Sequence, residues 1–152
     1  MARYSVLLVD DEKEFVTTLA ERMQMRGLEP KVAFSGEEAL EVLEGHIPDI
    51  ILLDLKMPGI EGLEVLRRVK KSHPQIQVII VTGHGSERDK ATALRWGAYD
   101  HLQKPVDIND LVRIMDRAFQ KKADAGLLMS TGSAWTFPWQ FRGLLGKREA
   151  KG

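Results

Sequence analysis

This chain predicts an α/β fold, a doubly wound sheet of five parallel strands, and three observations carry that reading. Short runs rich in Val, Ile and Leu recur at residues 6–9, 50–53 and 78–81, the composition of strands buried on both faces of a parallel sheet. Between such runs, apolar residues fall three and four apart, the period of a helix docked on one side. Each run also stops on a residue with a chemical head group: Asp10 and Asp11, Asp54, Thr82 and, after residues 99–103, Lys104. Ligands of open α/β sheets bind just beyond the carboxyl ends of the strands, so these groups are expected to meet at one edge.

The elements follow in order. Strands begin near Ser5, Glu29, Ile50, Gln77 and Tyr99. The first helix turns Phe15, Val16, Leu19 and Met23 to one face and stops at Gly27, a residue suited to the left-handed turn after a helix. The second opens on Ser35 with Glu38 three residues on, a capping box, and offers Ala39, Leu40 and Leu43 before Gly45. A Met57-Pro58-Gly59 turn precedes the third, which starts near Ile60 and points Leu63, Leu66 and Val69 inward. The fourth runs from Ser86, its cap with Asp89 nearby, to about Trp96. Its apolar face is only Ala91 and Leu94, so it is predicted to be the least firmly docked. The fifth begins at Asp107 and spaces Leu111, Ile114, Met115 and Ala118 for the core.

Parallel strands joined by single helices need right-handed crossovers, which leads to a flavodoxin-like (βα)5 fold in strand order 2-1-3-4-5. That order sets strands one and three side by side and brings Asp10, Asp11 and Asp54 together. From Ala123 the composition changes. Gly, Ser and Thr around 126–133 read as a linker, and Trp135, Phe137, Trp139 and Phe141 follow around Pro138. One domain is therefore expected over 1–122, with a linker and aromatic tail over 123–152.

Bulk properties narrow the function. The chain of 152 residues is long enough for one domain with one core. Its 22 basic and 22 acidic residues cancel, which removes any general attraction to nucleic acid or an anionic membrane. With no cysteine there is no disulfide framework, thiolate nucleophile or zinc-thiolate site. The first apolar run is too short, and too soon followed by Asp10, Asp11 and Glu12, for a signal peptide or membrane span; a soluble, cytoplasmic protein is expected. His46, His73 and His84 lack metal-ligand spacing on a helix and read as loop or surface residues.

Taken singly, the strand-end residues have plain explanations: an Asp pair caps a helix, a threonine ends a strand, a lysine lies in solvent. Their joint occurrence at four strand ends outweighs those explanations. Three carboxylates held close repel one another, so such a site must raise a pKa or recruit a cation. Mg²⁺ suits it, since that ion prefers oxygen ligands and takes one or two carboxylates with a phosphate oxygen. A carboxylate is also a competent nucleophile toward a phosphoryl group, whose oxygens an ammonium and a hydroxyl can hold.

Four segments, in order, resemble the CheY-like response-regulator receiver domain of two-component signalling: Leu7-Leu8-Val9-Asp10-Asp11-Glu12, Leu53-Asp54-Leu55-Lys56-Met57-Pro58-Gly59, Val81-Thr82-Gly83-His84-Gly85, and Gly97-Ala98-Tyr99-Asp100 with Lys104-Pro105. The resemblance covers residues 4 to about 121. It implies that Asp54 is the phosphoacceptor and that Asp10 and Asp11 hold Mg²⁺ with the Asp54 carboxylate and the Lys56 backbone carbonyl. It further implies phosphoryl contacts from Lys104, Thr82 and the N–H groups of Lys56 and Gly83, and a cis Lys104-Pro105 peptide. Thr82 is the implied switch residue together with His101, which stands three positions before the lysine where the family commonly has an aromatic residue. The side chains of Lys56 and His84 are expected to flank the hydrolytic water and tune the lifetime of the phosphorylated form.

By that resemblance the chain is a signalling switch rather than an enzyme. It would be loaded by a sensor histidine kinase or histidine phosphotransfer protein. Output is expected through protein contact on the face of the fourth helix, fifth strand and fifth helix, with a homodimer as one arrangement. No membrane partner and no direct DNA binding are expected, the tail being too short for a winged helix. The tail aromatics suit either a strand that adds to a sheet edge or a short helix from Pro138 carrying Phe141, Leu144 and Leu145. Two enzyme-class or carrier readings compete. An aspartyl-phosphate phosphatase or phosphotransferase of the haloacid dehalogenase type needs a second acid where Lys56 stands, and a cap; a flavin carrier needs a Ser/Thr/Gly loop where Asp10, Asp11 and Glu12 stand. A receiver-like scaffold that takes no phosphate sits poorly with a complete residue set.

Overall fold

The computed structural model describes residues 4–135, with side chains described for 4–126. Strands and helices alternate as β1 (Ser5–Val9), α1 (Lys13–Gln24), β2 (Glu29–Ala33), α2 (Gly36–Gly45), β3 (Ile50–Leu53), α3 (Gly62–Ser72), β4 (Gln77–Thr82), α4 (Glu87–Arg95), β5 (Asp100–Gln103) and α5 (Ile108–Trp135). The strands form one sheet in the order β2-β1-β3-β4-β5, and every neighbouring pair is parallel. Register keeps the carboxyl ends level: Val9 stands opposite both Ala33 and Leu53, and Thr82 opposite Gln103. No helix among the described residues is long and apolar enough to cross a membrane.

Alternate residues of each central strand feed two cores, as the two-residue period of a strand requires. Leu7, Val9, Ile51, Leu53, Val78 and Ile80 pack with Ala39 and Leu43 of α2, Val65, Leu66 and Val69 of α3, and Ala93 of α4. Val6, Leu8, Ile50, Leu52, Ile79 and Val81 pack with Val16, Leu19 and Met23 of α1 and Leu111, Val112, Met115 and Ala118 of α5. The outer strand β2 carries Pro30 and the exposed Glu29 and Lys31, residues that suit a sheet edge because they discourage further pairing.

Local signals mostly act as the sequence implies. Gly27, at φ 83°, closes the turn after α1. Ser35 Oγ accepts from Glu38 N–H at 3.0 Å and Ser86 Oγ from Asp89 N–H at 3.0 Å. The return bond of the capping box reaches one residue further than the motif requires, since Glu38 Oε1 accepts from Phe34 N–H at 2.7 Å.

Two expectations need correction. The buried residues of α4 are Lys90 and Ala93, while Ala91 and Leu94 face outward. The periodicity argument scored only apolar residues and so passed over a lysine that turns inward. The second concerns 126–133, where a linker is predicted and α5 instead continues to Trp135. Ala123, Ala125, Leu127, Leu128 and Met129 are strong helix formers, and each Gly among them costs only about 1 kcal/mol against alanine. The chain forms two compact units, Met1–Phe119 and Gln120–Gly152. Within the second, Gln120 Nε2 donates to Asp124 Oδ1 at 2.9 Å. Phe137, Pro138, Trp139, Phe141, Leu144 and Leu145 lie outside the described residues.

Candidate functional site

The sheet ladder itself positions the site. Beyond the last paired residues, Asp10 N–H donates to Ala33 C=O at 3.1 Å, Asp54 N–H to Val9 C=O at 3.0 Å, and Lys104 N–H to Thr82 C=O at 3.1 Å. Asp10 and Asp54 are therefore anchored one residue past the buried runs of β1 and β3, and Lys104 one residue past the less buried β5. Asp10 and Asp54 are buried, each 4 % exposed, and the hydroxyl-bearing Thr82 is inaccessible. Asp10, Asp11 and Asp54 offer carboxylate oxygens that all lie within 4.8 Å of one another. Such a donor set suits a hard divalent cation, whose charge would offset the repulsion of three packed carboxylates.

Lys104 supplies a cation from the end of β5. Its Nζ lies 2.7 Å from Asp10 Oδ2, bonds Glu12 Oε1, stands 4.0 Å from Asp54 Oδ2 and sits 4.4 Å from the centre of the Phe15 ring. Burial pushes the Asp10 pKa up, with the Asp54 charge adding, although Lys104 and the Glu12 N–H favour the carboxylate. Burial also works against the Lys104 ammonium, yet its bonds to Asp10 and Glu12 prevail and raise its pKa. Glu12 is pulled below the usual carboxylate range by its bond to Lys104.

The remaining sequence-predicted residues surround this cluster. Thr82 Oγ1 accepts from His84 N–H at 3.3 Å, and the Lys56 N–H donates a long 3.4 Å bond to Asp54 Oδ1. The Lys56 ammonium turns to α4 and pairs with Asp89 Oδ2 at 3.3 Å. His101 is half-buried on β5 opposite Ile80, and its N–H donates to Asp100 Oδ1 at 2.7 Å. The Lys104–Pro105 peptide is cis. His46 and His73 cap the C-termini of α2 and α3.

Residues 6–116 match the family described as the response regulator receiver domain. The chain belongs to that family. This receiver domain is 37 % identical over 118 residues to the DNA-binding transcriptional regulator NtrC of Klebsiella pneumoniae, across 78 % of this chain and 25 % of that protein. It is 41 % identical over 107 residues to the transcriptional regulatory protein CpxR of Escherichia coli K12, across 70 % of this chain and 45 % of that protein. The chain thus spans between a quarter and a half of these curated relatives. Among solved structures it resembles a CheY-like receiver domain protein from Methanospirillum hungatei JF-1, with a TM-score of 0.77 and 27 % identity over 80 % of this chain and 97 % of that one. NtrX from Brucella abortus gives a TM-score of 0.80 and 30 % identity over 86 % of this chain and 30 % of that one.

Two participants in the receiver site escape motif reading. Glu12 was legible only as part of an acidic run, yet it completes the cradle of Lys104. Gly62 stands at the start of α3, where an added Cβ would lie 2.2 Å from the Asp54 carbonyl oxygen. Only glycine lets the helix approach the end of β3 so closely, and the Gly62 N–H uses that approach to bond Leu55 C=O at 3.1 Å. A glycine three residues after Gly59 could have raised that suspicion, but nothing in the sequence told close packing from a turn.

Proposed function

We propose that this receiver domain, residues 1–122, is a phosphorylation-controlled switch that accepts a phosphoryl group on Asp54. A sensor histidine kinase or histidine phosphotransfer protein in the cytoplasm supplies that group. The observation that carries the reading is the meeting of three carboxylates with one partly buried ammonium at the ends of β1, β3 and β5. Asp10, Asp11, the Asp54 carboxylate and the Lys56 carbonyl are the atoms to hold Mg²⁺. When bound, that ion supplies charge to offset the phosphoryl oxygens. The Asp54 oxygen attacks phosphorus as the bond to the donor's nitrogen or acyl oxygen breaks, and the donor keeps that electron pair. Lys104 leaves Glu12 for a phosphoryl oxygen, acting as a point charge. Thr82, whose oxygen already accepts from His84 N–H, has its hydroxyl proton left to donate to the product.

Added charge shifts an equilibrium only if one conformation binds it better, so Thr82 and His101 on β4 and β5 are the sensing residues of this reading. Output then passes to a protein partner, or a second copy, on the α4–β5–α5 face, where Leu94 and Trp96 are 42 % and 43 % exposed. The absence of a basic excess, with the whole chain at a net charge of zero, favours protein over nucleic acid as the direct partner. The test is intact mass after incubation with acetyl phosphate and Mg²⁺. The parent should gain one phosphoryl, about 80 Da, and Asp54→Asn should gain none. An unmodified parent, or an equally modified Asn variant, contradicts the assignment.

A further inference from the structure

Lys90 is a charged residue where a core residue belongs. It lies on the inward face of α4 one turn before Ala93, and it is only 7 % exposed. Taking an ammonium out of water costs several kcal/mol unless partners replace the solvent. Its ion pair with Glu87, at 3.4 Å, involves a carboxylate that is 92 % exposed and therefore offers little. The partner with good geometry is neutral: Gln103 Oε1 accepts from Lys90 Nζ at 2.8 Å.

The other end of the Gln103 amide shows what the lysine is for. Gln103, itself exposed, donates through Nε2 to the Gly83 carbonyl over a long 3.4 Å. An ammonium offers only donors and a carbonyl only acceptors, so the amide can link them in a single orientation. The chain α4–Lys90–Gln103–Gly83 thus runs from a helix, through the last residue of β5, to the turn directly after Thr82. The lysine stem follows the same turn, since a Cβ added at Gly85 would lie 3.8 Å from Lys90 Cε and 3.0 Å from Thr82 Cγ2.

We propose that Lys90 is a positioning residue for the phosphoacceptor site, acting through Gln103 to hold the Thr82–Gly83–His84 turn in place for phosphoryl transfer. The proposal rests on Asp54 being the acceptor. Neither residue touches the reacting atoms. Their effect is to fix the plane of the Gly83–His84 peptide, whose N–H bonds Thr82 Oγ1, and through it the direction of that hydroxyl. Because α4 buries little else, the clamp also couples the helix to the turn.

The test compares Lys90→Met, Lys90→Arg and Gln103→Glu in the full chain. Methionine removes the ammonium but keeps an apolar stem, so thermal unfolding should change little. Glutamate keeps, and strengthens, the pairing with Lys90 while presenting an acceptor to the Gly83 carbonyl. It therefore separates anchoring of α4 from control of the turn. Amide exchange at Gly83 to Gly85, measured without any phosphoryl donor, should accelerate about tenfold in Lys90→Met and in Gln103→Glu, the fold-change for losing one hydrogen bond to or through a charged group. The rate of adduct formation from acetyl phosphate should fall in both, and Lys90→Arg should restore both readouts toward the parent. Parent-like exchange and rate in Gln103→Glu would overturn the proposal, as would faster adduct formation in Lys90→Met. A parent that forms no adduct would refute the acceptor assignment instead, and the exchange measurement would still decide whether the clamp orders the turn.

Discussion

The two halves of the sheet are built differently. In β1 and β3, every residue from Val6 to Val9 and from Ile50 to Leu53 is buried, and the acids sit one residue beyond. In the β4–α4–β5 half, β5 has no fully buried residue, and α4 contributes Ala93 and a lysine to the interior. β4 is as buried as β1 and β3, but α4 and β5 lean on polar ties: Lys90 to Gln103, Gln103 to Gly83, and Lys56 to Asp89. Reacting groups need a rigid base, whereas an element that must respond to one added phosphoryl group needs low local stability. The molecule divides those requirements between its halves.

Substitutions can break or sharpen this contrast. Leu53→Ala should cost about 2–5 kcal/mol, the usual range for a cavity in a packed core, whereas Leu94→Ala should stay within about 0.5 kcal/mol in urea unfolding. Similar losses at the two positions would erase the distinction. Gly62→Ala drives a methyl group into the Asp54 backbone and should cost about 1–3 kcal/mol. It should also slow adduct formation by displacing Asp54, the proposed acceptor, as a kinetic trace of intact mass would record.

Charge at the site gives a smaller effect of opposite sign. The Asp10 pKa is raised above its ordinary 3.8, chiefly by burial, so the folded state binds that proton more tightly than the unfolded one. Its contribution to stability therefore falls as pH rises from about 4 through the folded pKa. In a chelating buffer at neutral pH, Asp10→Asn should raise the urea midpoint and flatten its dependence on pH above 4. Smallest of all is Glu64, whose pKa is lowered to about 2 by its bonds to Arg67 and Arg68. That stabilisation is present above 4.5 and fades as pH falls toward 2, but the pairs lie at the surface, where solvent screens them. Glu64→Gln should move the neutral-pH midpoint barely, and less still at high salt.

How much of this was legible in the sequence follows from what kind of signal each feature leaves. Continuous apolar runs gave β1, β3 and β4, because full burial in a parallel sheet imposes composition directly, while the strand order followed from right-handed crossovers in a flavodoxin-like fold. Asp10, Asp11, Asp54, Thr82 and Lys104 were readable because each ends such a run, and strand ends converge. Lys90 left no readable signal: periodicity counts apolar residues, and a lysine folded inward onto Gln103 looks like one turned to solvent. Gly62 was hidden for a related reason, since the oxygen it makes room for belongs to the preceding strand end. The extension of α5 past Ala123 was obscured because Gly126 and Ser130 read as breakers, although the Ala and Leu residues around them favour helix.

The division of labour between the two halves is tested most directly by residue-resolved amide exchange with and without a phosphoryl mimic, beryllium trifluoride, at Asp54. Protection should change across residues 82–103, the turn, α4 and β5, while 6–9 and 50–53 keep their slow exchange. Unchanged exchange over 82–103, or an equal change in β1 and β3, would contradict it.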